Sequence, residues 1–172
     1  MKRYLFVIFL VLALGTVISH AEAWNEPDSV LGRRWGATLA EINIPDCKPN
    51  LCLTHISLGE GSSLGASFSF DPRGGMDLVW LSVGHDEYPL LRDILVEKYG
   101  QPTSVKQVEV KTKAGAAFSS EEASWAGKRV TILLREYDSS LNLSGATITL
   151  NTRLEREKAK YREKVKKGVD SL

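Results

Sequence analysis

From Ala66 to Phe70 the chain alternates strictly, with Ala66, Phe68 and Phe70 set against Ser67 and Ser69. A period of two with one apolar face is the pattern of a β-strand packed on one side. Asp71-Pro72-Arg73-Gly74-Gly75 follows, where proline presets φ and glycine supplies positive φ, so the chain turns back on itself. Leu78-Val79-Trp80-Leu81-Ser82-Val83 then reads as a strand apolar on both faces, hence a central one. No other segment constrains the fold as tightly as this hairpin.

Further strands are legible on both sides of it. Leu53 to Leu58 precedes a Gly-Ser turn, Gly59-Glu60-Gly61-Ser62. Val108 and Val110 alternate with Gln107, Glu109 and Lys111, and a small-residue loop follows from Lys113 to Phe118. Ser124-Trp125-Ala126 and Val130 to Leu134 flank Gly127-Lys128, as in a hairpin. Ala146, Ile148 and Leu150 face inward against Thr147 and Thr149.

Helices separate these runs. Asp28 to Trp35 is a polar lead-in, and Thr38-Leu39-Ala40-Glu41 is a capping box that opens a short helix ended by Pro45. Asp86 or Glu87 caps a longer one with Pro89 in its first turn. Leu90, Leu91, Ile94, Leu95 and Tyr99 form its apolar stripe, Gly100 stops it and Pro102 forbids continuation. Arg153 to Lys167 is a highly charged helix of strong helix formers. The expected fold is α+β: two α-β-β-β-like units in one antiparallel sheet, helices on one face, and a charged C-terminal helix.

The ends carry different information. Lys2 and Arg3, the apolar run Leu5 to Leu14 and Ala21-Glu22-Ala23 read as a secretory signal peptide over residues 1–23, cleaved after Ala23. A single domain is expected over 24–152, and the charged helix over 153–172. Residues 24–172 carry equal numbers of basic and acidic side chains, which excludes a globally basic nucleic-acid binder. Within that balance Arg153, Arg156, Lys158, Lys160, Arg162, Lys164, Lys166 and Lys167 stand against Glu155, Glu157, Glu163 and Asp170. These eight basic residues are the expected partner contact, to an acidic protein or to anionic lipid headgroups. The tail is expected to be dispensable for folding.

Cys47 and Cys52 are the only cysteines, and an exported setting predicts that they pair, tying a helix end to a strand start. The competing reading is a metal site: His55 follows at C-x4-C-x2-H, with Asp46 or His85 as fourth ligand. No finger spacing places that fourth ligand, so the disulfide is preferred.

Catalytic patterns are weak. Gly61-Ser62-Ser63-Leu64-Gly65 fits G-x-S-x-G, but a nucleophile elbow needs a strand before the serine and a helix after it, and here a strand follows. Asp86-Glu87 and Glu121-Glu122 are neighbours in sequence, and neighbours on a strand point to opposite faces. His55 and His85 read as a strand and a turn residue. Trp80 and Trp125 are expected in the core, Trp35 in an element that needs core mass, and Trp24 at a mobile new N-terminus. Nothing marks a cofactor, a metal or a catalytic centre.

The string Leu31-Gly32-Arg33-Arg34-Trp35-Gly36-Ala37-Thr38-Leu39-Ala40-Glu41 resembles the G-x-x-[WF]-G-x-[ST]-x-x-E opening of small exported bacterial proteins. Leu95-Val96-Glu97-Lys98-Tyr99-Gly100-Gln101-Pro102 resembles their L-x-x-K-Y-G-x-P element, and a tryptophan strand such as Ser124-Trp125 often comes next. Their layout is similar to the β-lactamase-inhibitor-protein-like α/β repeat, over about residues 31–150 here. The resemblance implies a non-enzymatic, periplasmic or secreted protein that binds another protein. An envelope protein held at anionic membrane by the basic helix, and a small-ligand carrier, are the alternatives.

Overall fold

The computed structural model describes residues 24–171 apart from 46, 49–50, 60 and 113–114. The expected signal peptide and its cleavage site lie outside the described residues. In chain order, β1 (Ser29–Val30) and β2 (Arg33–Arg34) form a small hairpin, and α1 (Leu39–Ile42) follows. Then come β3 (Cys47–Lys48), β4 (Leu51–Gly59), β5 (Ser62–Phe70) and β6 (Met76–Gly84). A 3-10 turn at His85–Glu87 leads into α2 (Tyr88–Tyr99). The second half holds β7 (Ser104–Lys111), β8 (Ala117–Ala126), β9 (Val130–Arg135), β10 (Leu143–Leu150) and α3 (Asn151–Val169).

Among the described residues β3 to β10 make one eight-stranded sheet in the order β3-β4-β5-β6-β10-β9-β8-β7, antiparallel throughout. Two meanders, β3 to β6 and β7 to β10, are joined where β6 pairs with β10, with Leu81 opposite Ala146 and Val79 opposite Ile148. This is the expected α+β fold, one helix leading each meander. The Asp71–Gly75 turn works as its residues imply: the Asp71 carboxylate accepts the N–H groups of Arg73 and Gly75, and Gly74 takes φ +87°.

Cross-strand register gathers the core on one face. Phe68 lies opposite Val79, Ala66 opposite Leu81, Ile148 opposite Ile132, and Trp125 opposite Ile132 from the other side. All are buried, and Ile42 of α1 and Leu91, Leu95 and Tyr99 of α2 close over them. Trp125 is 0% exposed and its indole N–H donates to the Gly100 carbonyl at 2.8 Å.

The helices differ in detail from expectation. In α1 the Glu41 carboxylate accepts the Thr38 N–H at 2.7 Å and the Thr38 hydroxyl at 2.8 Å, as a capping box should. The helix ends at Ile42 rather than at Pro45, because Asn43 turns left-handed at φ +50°, a conformation asparagine tolerates. In α2 the buried line is Tyr88, Leu91, Leu95 and Tyr99, while Leu90 is exposed. A straight helix on a sheet touches it along one line of i, i+3 and i+4 positions, and Tyr88 sets that line. Phe118, expected in a loop, lies in β8.

Two tryptophans sit elsewhere than expected. Trp80 is half-buried on the sheet face turned away from the core, so β6 is central in order but covered on one face. Trp24 is held in place: it packs on the core and its indole N–H donates to the Ala126 carbonyl at 3.2 Å. Trp35 packs partly buried against the core and donates to the Pro27 carbonyl at 2.8 Å.

Candidate partner-binding surfaces

Because side chains alternate along a strand, the positions between the core residues share the opposite face. One register row there runs His55, Gly65, Ser82, Gly145, Arg135, Glu122 and Lys106, and the next runs Leu53, Ser67, Trp80, Thr147, Leu133, Ser124. Charges alternate along the first row. Lys106 Nζ lies 2.6 Å from Glu122 Oε1, and Arg135 Nε donates to Glu122 Oε2 at 3.1 Å. Arg135 Nη1 lies 3.7 Å from Asp138 Oδ1, and Asp138 Oδ2 accepts the Trp80 indole N–H at 2.7 Å. The ladder thus ends by fixing an aromatic ring. Gly145 makes this possible: a Cβ there would meet Asp138 Oδ2 at 2.5 Å and Trp80 Nε1 at 2.9 Å.

The ladder has a pH signature. The hydrogen bond from Lys106 lowers the Glu122 pKa; partial burial opposes it, and Arg135 adds to the lowering. A carboxylate depressed in the folded state contributes stability above its unfolded pKa of about 4.3 and loses it as pH falls through the folded value. Glu122→Gln should therefore flatten the acid limb of the stability profile below about pH 5, read by denaturant titration across pH. An unchanged limb would mean that the ladder is solvated.

Glu121 points the other way, as strand alternation requires. Its carboxylate accepts the Tyr88 hydroxyl at 2.7 Å and Arg92 Nε at 2.9 Å, while its N–H donates to Glu136 Oε2 at 2.8 Å. Burial, and then the Glu121 hydrogen bond, push the Tyr88 phenol up. His85 stacks on Tyr137 with ring centroids 4.4 Å apart. These contacts fix the α2 start against β8 and the loop after β9.

Cys47 and Cys52 are bonded, and they face each other across β3 and β4, so the bridge joins two strands rather than a helix and a strand. His55 lies on the opposite face of β4 from Cys52, so the C-x4-C-x2-H arrangement does not assemble. Replacing both cysteines by serine should cost about 2 kcal/mol in the chain-entropy account of so short a loop. Thiol labelling of the unfolded, unreduced chain gives the direct check: two reactive thiols would refute the bridge. Ser63 lies within β5 opposite Ser57, with strand continuing after it, so no elbow forms.

The eight basic residues divide. Arg153 Nη1 lies 2.7 Å from Asp77 Oδ1, and Arg156 holds Asp77 Oδ2. The Asp77 side chain is 3% exposed. These two arginines are internal ion-pair partners rather than partner contacts, which corrects the reading of the tail as one uniform surface. The helix also starts earlier than expected. Asn151 donates to the Gly127 carbonyl at 2.9 Å and accepts the Thr131 hydroxyl at 2.8 Å. Lys158, Lys160, Arg162, Lys164, Lys166 and Lys167 are exposed. Lys158 pairs with Glu155 at 2.8 Å, Lys160 with Glu157 at 3.3 Å and Lys167 with Glu163 at 2.7 Å.

Sequence reasoning named the basic tail and the disulfide but missed the ladder. Its members come from β6 to β9 and the loop after β9, and only the register brings them into line. The fold and its surfaces define a small α+β protein with one sheet face closed by α1 and α2 and the other carrying the charged ladder and the partly exposed Trp80. No protein-family model, no curated protein and no solved structure matches this chain.

Proposed function

We propose that this is a non-enzymatic binding protein of an exported compartment, periplasmic or secreted, that recognises a folded protein partner through its open sheet face. The observation that carries this reading is the ordered ladder Lys106–Glu122–Arg135–Asp138 ending on Trp80. An aromatic ring fixed by a hydrogen bond loses little entropy when a partner covers it, and fixed aromatic anchors dominate interface energies. Leu53 and Leu133 share its register row and add apolar surface. The alternating charges beside it set register and reject partners whose signs do not match. The Cys47–Cys52 bond fits an oxidising compartment. The resemblance to β-lactamase-inhibitor-protein-like layouts points the same way. The reading needs no cofactor, metal or nucleic acid.

Crosslinking and capture from the native exported compartment, followed by affinity measurement with the purified partner, tests it. Trp80→Ala should weaken that affinity by roughly 30-fold, the effect of losing an interface hot spot. An affinity unchanged by both Trp80→Ala and Arg135→Ala would sink the assignment.

A further inference from the structure

Helices in proteins draw most of their stability from packing an amphipathic face. Among the described residues α3 buries none of its own, yet Tyr161, Val165 and Val169 stand 69%, 47% and 64% exposed. These three lie at i, i+4 and i+8 and form one row along the helix. One residue further on, about 100° around the axis, runs the row Lys158, Arg162, Lys166. One residue back, about 100° the other way, lie Lys160 and Lys164. The acids Glu163 and Asp170 fall on the side remote from the apolar row, while Glu157 heads that row and is paired with Lys160 at 3.3 Å.

Arg153 and Arg156 bind Asp77, and Arg156 sits about 180° around the helix from Val165. The base of α3 is held on both sides, by Arg156 on Asp77 and, nearly in line with Val165, by Asn151 on Gly127 and Thr131, and beyond that turn the apolar row stands exposed. An apolar strip bounded on both sides by cations is the cross-section of a helix lying in a headgroup layer, its lysine stems reaching outward.

We propose that α3 docks on an anionic lipid surface, with Tyr161, Val165 and Val169 entering the headgroup region and the two flanking basic rows meeting phosphates. The composition favours lipid over the alternatives. A pair of α3 helices would place Lys158 and Gly168 in its seam beside Leu154, Tyr161 and Val165, where neither packs well. Four of the five cations in the two flanking rows are lysines, compact charges that suit a diffuse anionic plane, whereas fixed carboxylates on a protein favour the arginine fork. This inference is independent of the open sheet face, because it uses different residues.

The test is sedimentation of residues 24–172 with vesicles; the apolar run Leu5 to Leu14 is left out because it would bind lipid by itself. The protein should pellet with vesicles of equal parts phosphatidylglycerol and phosphatidylcholine at about 0.05 M salt, and be released at about 0.5 M. Pure phosphatidylcholine should not retain it. Arg162→Glu/Lys166→Glu should lower partitioning at least about 25-fold, at roughly fivefold per cation lost near the surface. Tyr161→Ser/Val165→Ser should weaken it as well, and both variants should melt like the parent because these side chains are exposed. No retention by the anionic vesicles would overturn the proposal, as would retention indifferent to charge reversal. Self-association through α3, or retention by an acidic protein without vesicle binding, would overturn it in favour of those occupants.

Discussion

Replacing Arg153 and Arg156 together by methionine should destabilise the protein by about 3–5 kcal/mol, the cost of leaving a buried charge without its partners. Asp77 lies in β6 next to the core, and both of its carboxylate oxygens are taken by guanidinium groups from the first two turns of α3. The substituted side chains would still cover Asp77 while offering it no proton donor. A third substitution, Asp77→Leu, should recover most of the loss, because an apolar set of similar volume avoids desolvating the charges. Denaturant midpoints of the double and triple variants decide this. Equal midpoints for parent and double variant would mean that water reaches Asp77. A chain ending at Thr152 removes the same partners but also uncovers Asp77 to water, so it should lose less than the double variant. The tail as a whole should therefore not be neutral for stability, since its first two turns carry both partners of Asp77.

Trp125→Ala should cost about 3–5 kcal/mol, the usual range for emptying a fully buried aromatic site. Trp125 fills the space between β8, β9 and the end of α2, and Trp125→Phe would keep much of the packing while orphaning the Gly100 carbonyl. Trp80→Ala should cost clearly less, about 1–2 kcal/mol, because one side of that ring already meets solvent. Thermal melts of the two alanine variants side by side test the contrast. Equal losses would put Trp80 in the core and weaken the case for the open face.

Those two tryptophans show how far the sequence reads. Both sit in apolar strand segments, and alternation does reveal that these segments are strands. Whether the second face of a strand is covered depends on which element returns across it. Leu78 and Trp80 make β6 look sandwiched, yet both stay partly exposed on a face that neither α1 nor α2 closes. The capping box at Thr38, the turn at Asp71 and the stop at Gly100 were legible because each is settled within five residues of chain. Pairing between β6 and β10 was not, since it joins segments far apart in sequence. The same holds for the candidate surfaces. Lys106, Glu122 and Arg135 look like ordinary solvated charges until the register aligns them. Arg153 and Arg156 looked like the rest of the basic run, because their partner Asp77 lies in another strand with no local mark. The line Tyr161–Val165–Val169 could be read from spacing alone, but its exposure on the folded protein could not.

The joint between the two meanders governs how the molecule must assemble. β6 has β5 as one neighbour from the start, but its other edge waits for β10, the last strand of the chain. Such non-local pairing is slow to form, and a long apolar strand with an open edge invites pairing with another chain meanwhile. In a chain emerging from its N-terminal end, Val79, Leu81 and Val83 are present as an unfinished edge throughout the making of α2 and four more strands. Closure then comes in one zone, as β10 zips onto β6 and the next two turns set Arg153 and Arg156 on Asp77 of that same strand. The ion pairs act as a latch across a seam that nothing earlier in the chain can hold shut.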